Sequence, residues 1–600
     1  MIKRYFAAKD NTISNAFEPN LTTRAVSASM GQSDILEVFS IYGQVSSSSG
    51  FSTEEARVLI EFDLSDIQAD IASGIIPSNA KYYLRLFNAE HGSTLPREFD
   101  IEVHSVSSAW QEGLGLDMES YKDLSSGLGS NWTVRSGSTA WSSPGGDVHA
   151  NTSSVQSFPI GTEDLNVDVT TQVSAWLNTS RSNEGFLVKL PTALTGQQRS
   201  YYTKKFFARG TEFFHKRPCL EVRWDSTIQD DRINFYASSS LAPAADNINT
   251  LYLYNYHRGQ LANIPDVGTG KLYVDLYETL GGTALTQCVD TPATGGWVET
   301  GIYTASVCVS TTASTIHDVW RSANASTVLT FGPGIPSDGT LAITFGALGT
   351  FTLTFNSAAG SSDAEIGSDK AATIDPSAEG DAAANAQKVM ALLKNGVTGD
   401  GIKNAYNFAY DGSSVGAETV TITAKERGST HNITVTESLS NISSAVTDGS
   451  DSNYHTGSID VKSATALSSA PDNHLVVSVS NNRSFHYTEQ TSRFYFYIRQ
   501  KKWSPAIYTT ATTTPTTEVF ENLHFKIIKV VTDETIFDYD TTNNSTLLSY
   551  DSRGNYFDLD IGMLEPNYTY QIELALYNVA TKTYEQLSFK HKFRVVNNEY

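Results

Sequence analysis

The sequence predicts a mainly β protein, several β-sandwich domains in series with one small α+β domain inserted among them. Three observations carry this. Apolar and polar residues alternate over many short runs, the period of a half-buried strand. Aromatic residues make up 11% of the chain, and Ser, Thr, Asn and Gly crowd the connections, as in sandwiches with turn-rich loops. Clear helical periodicity appears at one place only, near residue 390. Hydrophobic residues at 40% and charged residues at 18% mark the chain as globular. A length of 600 residues suggests roughly four domains at ~150 residues each.

The first domain is read as residues 1–225. Ala56 to Ile67 is a strand that leaves its sheet at Ser65 and Asp66, followed by strands at Ala80–Phe87 and Phe99–Val106. Ala109 to Gly113 falls in a loop. Leu165 to Thr170 leads into a short helix with Val173, Trp176 and Leu177 on one face. Gly185–Leu190 and Cys219–Trp224 close the domain.

The order of RVLIEFDLSDI (57–67), YYLRLFNAE (82–90), IEVHSVSSAWQEG (101–113), LNVDVTTQVSAWLN (165–178), EGFLVKL (184–190), FFARGTEF (206–213) and RPCLEVRW (217–224) resembles the DNRLRE-type β-sandwich. That family comprises jelly-roll modules of secreted wall and carbohydrate-associated proteins, also seen in phage structural proteins. The resemblance implies the fold of the first third of the chain and suggests a glycan as one ligand class. Trp110, Trp132 and Trp141, in the long loops of this domain, are the residues that would form an aromatic platform. A loop-anchoring core position is the preferred reading for each, and the glycan platform is the alternative.

The second domain is read as residues 226–325 with 450–472. Its early strands are Ile233–Ala237, Leu251–Tyr256 and Lys271–Tyr277, and the spacing of Tyr252, Tyr254 and Tyr256 places three rings on one face. Tyr303, Ala305, Val307 and Val309 alternate along the next strand. The strand Ile316–Trp320 has no partner directly after it. Its match, Thr456–Lys462, appears only after Tyr454. A domain threaded through a hairpin tip explains this, because lengthening a surface loop costs only ~0.6 kcal/mol per doubling.

The insert is read as residues 326–449. Leu341–Phe345 and Phe351–Phe355 form a hairpin. Asp375 and Pro376 open a helix as N-cap and first helical residue. Ala386, Val389, Met390 and Leu393 fall on its apolar face, and Asn395-Gly396 ends it. Two further strands are Thr419–Ala424 and Asn432–Thr436. The order resembles inserts in phage tail and baseplate proteins. Asp363, Glu365 and Asp369 lack the offsets of a calcium loop and read as a solvated loop.

The last domain is read as residues 473–600. Arg493–Arg499 is a strand, followed by a basic, aromatic elbow around Trp503, a further candidate for glycan or partner contact. Phe525–Val531 and Tyr556–Ile561 continue the sheet. Leu564, Pro566 and Tyr570 match the tyrosine corner of fibronectin type III and related immunoglobulin-like sandwiches, which implies that fold.

The net charge of −23 argues against a nucleic-acid partner, since phosphate contacts need clustered Lys and Arg. Three cysteines, Cys219, Cys288 and Cys308, give neither a disulfide framework nor metal-ligand spacing; Cys288 and Cys308 fit as neighbours in one sheet and read as two buried thiols rather than a bridge. Lys3 and Arg4 are followed by no apolar run, so no secretory leader is expected. No run approaches the ~18 apolar residues of a membrane span.

No enzyme is expected and no cofactor or metal is implied. Gly412-Ser-Ser-Val-Gly416 fits a nucleophile elbow by letter, but a strand follows where a helix is required. His91 and His104 lack ligand spacing. Asp558 and Asp560 share a strand face without marking an acid–base pair.

The phrases NTISNAFEPNLTTRAVSASMGQSDILEVFSIYGQ (11–44), FYFYIRQKKWSP (494–505) and YFDLDIGMLEPNYTY (556–570) resemble virion structural proteins of tailed, contractile-tail bacteriophages. That resemblance implies a non-enzymatic virion component assembled in the host cytoplasm, at the tail, baseplate or neck, as part of a homo-oligomer docked on other virion proteins. A capsid-surface or head-fibre protein, or an adhesin for host surface glycans, is the alternative.

Overall fold

The computed structural model describes residues 1–18, 20, 22–26, 28–47, 50–90, 96–116, 129–195, 201–240, 242–265, 267–289, 292–322, 324–358, 370–376, 381–395, 402–425, 431–447, 449, 452–462, 475–480, 483–501 and 517–598. The protein is mainly β, with antiparallel sheets in sandwich arrangements. It divides into two compact units, one of Met1–Ile228 with Asp472–Tyr600, the other of Gln229–Pro471.

In the first unit, the N-terminal sandwich sets the sheet Ile2–Phe6, Cys219–Arg223, Lys81–Leu86, Leu165–Asp168 against a larger one. The larger runs Tyr201–Phe207, Ile35–Ser47, Gly50–Glu61, Phe186–Lys189, Phe99–Ser105, Ser154–Phe158, with Lys9–Ser14 also on Gly50–Glu61. Val58 and Ile60 enter the main core, whereas Leu59 enters a second apolar layer with Ile13, Val106 and Leu187. The unbroken run Val58-Leu59-Ile60 thus reflects a strand buried on both faces. That strand stops at Glu61, before the expected exit. The Asp63 carboxylate accepts the Ser65 N–H at 2.9 Å, a local turn that competes with the ladder. Ser65–Ala72 then forms a helix seated by Ile67. Thr170–Leu177 is helical, with Val173 and Trp176 buried and Leu177 packed beside them.

The C-terminal sandwich sets Leu475–Val479, Thr491–Gln500, Gly554–Asp560, Ser549–Asp551 against Phe485–Tyr487, Thr583–Val596, Thr569–Asn578, Leu523–Lys529, Glu534–Phe537. Its core is aromatic, with Phe525 and Phe557 stacked at 3.9 Å and Phe494 on Phe557 at 5.4 Å. Offset ring pairs add to burial. Leu564 and Tyr570 are buried, and the Tyr570 hydroxyl donates to the Glu565 carbonyl, beside Pro566, at 3.0 Å. The bond ties the corner loop to the strand.

In the second unit, one sheet runs Asn249–Tyr254, Ile302–Val307, Ala293–Glu299, Leu272–Tyr277, Thr315–Ser322, Asn453–Thr456, with Ile459–Asp460 also on Thr315–Ser322. Tyr303, Ala305, Val307 and Val309 are buried. The expected strand Ile233–Ala237 is absent; Asp231–Ile233 is a 3-10 turn, and Tyr236 alone bridges Lys462. Tyr252 and Tyr254 share a face with rings 6.5 Å apart. Tyr256 does not join them, because the strand ends at Tyr254 and Tyr256 begins a separate ribbon, 56% exposed.

Cys288 and Cys308 are disulfide-bonded, with Cα atoms 5.3 Å apart. This corrects the expectation of two thiols. Gln287 bridges Val309, and the Cys288 N–H donates to the Cys308 carbonyl at 2.9 Å, so the register sets the two side chains face to face. Cys219 is buried and free.

The segment from Ser326 to Thr447 forms two four-stranded sheets, Tyr406–Asp411, Glu418–Ala424, Ser326–Phe331, Ile442–Thr447 and Ala371–Ile374, Thr350–Phe355, Gly339–Phe345, Ile433–Glu437. The helix Ala382–Asn395 buries Ala386, Val389 and Leu393 with both sheets' apolar side chains, and Met390 packs partly buried. It begins later than the sequence suggested. Ala371–Ile374 pairs in parallel with Thr350–Phe355 as far as Ile374, and Asp375 and Pro376 follow it directly, Pro376 in a turn, rather than opening the helix. Asp381 is the cap, accepting the Ala384 N–H at 3.1 Å. Gly396 lies outside the described residues.

Candidate interaction sites

Trp110, Trp132 and Trp141 are all buried, packed on Leu59, Val106 and Leu187 over the outer face of the larger N-terminal sheet. The Trp110 indole donates to the Glu184 carbonyl at 2.9 Å and the Trp141 indole to the Asn131 carbonyl at 2.8 Å. Lys9 sits 5.0 Å from the Trp110 ring, and the Arg57 guanidinium 4.8 Å from the Trp132 ring. Gly145, at φ +91°, fits where a Cβ would meet Arg57 at 2.7 Å and Trp132 at 3.0 Å. These rings anchor loops and offer no open platform, so the glycan reading of the three is corrected. Trp503 lies outside the described residues, as do His91, Asp363, Glu365 and Asp369.

Beside this layer, Asp10 is buried with an unusual balance. Its Oδ2 accepts the Arg209 N–H at 2.5 Å, while its own N–H donates to Glu112 Oε1, which also takes the Arg209 guanidinium at 2.8 Å. Oδ1 is buried without a hydrogen-bond partner. Burial first, and the Glu112 charge second, push the Asp10 carboxyl from 3.8 up to about 7, against the pull of Arg209. Between those values the unfolded chain has lost the proton and the folded chain has not. Stability therefore falls as pH rises through that window and levels off above it. Asp10→Asn should flatten this part of the slope by up to about 4 kcal/mol. Urea midpoints at pH 4.5 and 7.5 test it; an identical decline in both proteins would refute the assignment.

The seam between the two sandwiches of the first unit is charged and buried. Glu221 Oε2 meets Arg4 Nε at 2.7 Å, Oε1 meets Arg223 Nη2 at 2.5 Å, and Arg85 lies 3.6 Å away. Burial opposes its ionisation, but the three guanidiniums outweigh that and hold Glu221 far below the usual carboxylate range. Arg4 also donates to the Ile536 carbonyl at 2.9 Å and lies 4.6 Å over the Phe537 ring. His215 is within 2.6 Å of Glu534 and 3.3 Å of Glu565, which takes Lys529 at 2.6 Å. Burial works against Glu534, yet His215 and Lys216 draw it below its ordinary value. The Tyr550 N–H donates to the Ile228 carbonyl at 2.9 Å. Sequence reading missed this seam, since most of its partners are distant in sequence; Arg4 and Glu221 are 217 positions apart.

A second network lies where the chain enters and leaves the 326–447 segment. Val319 pairs with Thr456 and Trp320 with His455, so the return strand lies beside the outgoing one. Asp318 is buried between Arg232, at 2.6 Å, and the Trp320 indole, at 2.7 Å. Arg321 binds Asp275 at 2.5 Å and Asn324 Oδ1 at 2.8 Å. Asn324 in turn donates to the Ala424 carbonyl at 2.8 Å, and the Ala424 N–H donates to the Ala325 carbonyl. The sheet that holds Ser326–Phe331 and Glu418–Ala424 is thus braced to the sheet that carries the segment.

Among the described residues, no group of three or more His, Cys, Asp and Glu could hold a metal ion. Gly412–Gly416 is the turn between the antiparallel strands Tyr406–Asp411 and Glu418–Ala424, which lacks the helix that an elbow requires. His104 pairs with Glu102 at 3.0 Å, and Asp558 is taken by Arg493 at 2.7 Å. Asp560 accepts the Gly562 N–H at 2.9 Å. No helix among the described residues is long and apolar enough to cross a membrane.

No family model matches the chain, and no curated protein matches it. Among solved structures, the adhesin domain of Epf from Streptococcus pyogenes aligns with 55% of this chain and 93% of its own length, at 9% identity and a TM-score of 0.13. A similarity that low bears on neither fold nor function.

Proposed function

We propose that this chain is a non-enzymatic structural component of a tailed-phage virion, at the tail, baseplate or neck, whose β-modules dock other virion subunits. The observation that carries the reading is the braced mount. A domain that leaves and re-enters its carrier sheet on paired strands, with Arg321, Asp275 and Asn324 bonded across the junction, is held in orientation. An assembly part needs that rigidity, and a tethered catalytic or sensing domain does not. The charged seam between the two end sandwiches serves the same purpose. The disulfide forms after release from the reducing host cytoplasm, since such bonds persist on virion surfaces.

The test is location in purified particles. After capsid disruption, the protein should co-purify with the sheath or baseplate fraction at fixed stoichiometry. Recovery only with empty heads would overturn tail placement, and absence from particles would overturn the virion reading itself.

A further inference from the structure

We propose that the outer face of the strands Phe485–Tyr487 and Thr583–Val596 is a docking surface for a second copy of this chain, which it meets through that copy's acidic N-terminal sandwich. The inference does not depend on the virion reading, because it concerns the purified chain alone.

Along Thr583–Val596, Leu587, Phe593 and Val595 are buried, while Lys590, Lys592 and Arg594 alternate with them and are exposed. Register sets Lys590 opposite Glu573, Lys592 opposite Gln571 and Arg594 opposite both Thr569 and Phe485. The cations thus stand in one file. Lys590 has a carboxylate partner, Glu573 at 3.1 Å. Lys592, Arg594 and the neighbouring exposed Arg483 have none among the described residues. Beside them Phe485 and Tyr487, 47% and 39% exposed, hold their rings 5.6 Å apart. Apolar rings next to unpaired cations on a short edge strand fit the aromatic and Arg enrichment of protein interfaces.

The complement lies on the same chain. Residues 473–600 carry 12 Lys and Arg against 14 Asp and Glu, whereas residues 1–225 carry 19 against 26. Where the strand Gly50–Glu61 ends, Asp63 and Asp66 are exposed, and neither they nor Glu184 has a cationic partner among the described residues. Glu61 lies beside them but is paired with Lys9 at 2.7 Å; burial first, then Lys9 in opposition, and then the charges of Glu184 and Asp63 leave its carboxyl raised. A contact between two different faces is heterologous, so repetition gives a ring or a filament. Opposed charges would steer the encounter and fix its register, and salt would weaken it.

The experiment is sedimentation of the full chain at about 0.05 M and about 0.5 M salt, which spans strong and weak screening. Low salt should give concentration-dependent higher species that dissociate at high salt. Lys592→Glu with Arg594→Glu, or Asp63→Lys with Asp66→Lys, should weaken association at least about tenfold. All four changes together should restore it. The altered side chains are exposed, and near-ultraviolet circular dichroism checks that each variant is folded. A wild-type chain monomeric at low salt, a double variant that associates as the wild type does, or association only after heparin is added would overturn the proposal.

Discussion

Glu221→Gln is expected to destabilise the first unit by about 3–5 kcal/mol, the range seen when one partner of a buried ion pair is removed. The carboxylate is nearly inaccessible and faces Arg4, Arg223 and Arg85 within 3.6 Å. An amide of the same shape leaves those guanidiniums gathered with no anion among them, apart from Asp164 at 3.7 Å from Arg85. Arg4 also holds Ile536 and Phe537, so the loss is expected to reach the contact between the sandwiches. The pH dependence has a definite sign. A carboxylate whose folded value is depressed contributes stability above its ordinary value, and that contribution fades as pH falls below it. The gap between wild type and variant should be full at pH 7 and narrower near pH 3.5. Urea midpoints at both pH values, at unchanged slope, measure it. Equal midpoints at pH 7 would show that water reaches the cluster.

Arg321→Met should cost the second unit a comparable about 3–5 kcal/mol, because Asp275, itself buried, loses its cation at 2.5 Å. Methionine keeps much of the length and apolar stem, so lost packing contributes little. The specific consequence lies at the junction. Asn324 loses the guanidinium that orients it, and with it the hold on the Ala424 carbonyl. Hydrogen exchange should quicken at the Ala424 amide, which donates to the Ala325 carbonyl, before it does in the strands Leu272–Tyr277 or Gly339–Phe345. Uniform exchange across the unit would argue that the brace is no separate element.

The sandwiches were legible in sequence wherever a strand is buried on one face. Phe99 to Ser105 alternates cleanly, as does Glu418 to Ala424, and the return strand near Tyr454 could be matched to Trp320 across the insert. Misreadings arose where a second layer or a distant partner decides the outcome. Loop anchoring was the preferred reading of the three tryptophans and is what they do, but nothing near them reveals that Leu59 faces outward into the second core they cover. Tyr256 kept the period of Tyr252 and Tyr254, but tertiary context ended the strand first. The Cys288–Cys308 pairing depends on a register that no spacing encodes. The helix start shifted from Asp375 to Asp381 because both Asp residues are competent caps, and the first directly follows a parallel strand that ends at Ile374. The seam was invisible. Glu221 and Arg223 alternate with Leu220 and Val222, which reads as a solvent face until the other end of the chain covers it.

That covering has a consequence for synthesis. The N-terminal sandwich is complete by Ile228, yet its partner begins at Asp472. At ~5–20 residues per second, the ribosome needs on the order of 20–75 s to deliver it. Throughout that interval Arg4, His215 and Glu221 wait without Ile536, Phe537 and Glu534. On a crowded polysome, the first C-terminal sandwich to arrive can belong to a neighbouring nascent chain. Exchange of that sandwich between copies uses the same contacts and changes only which chain supplies them.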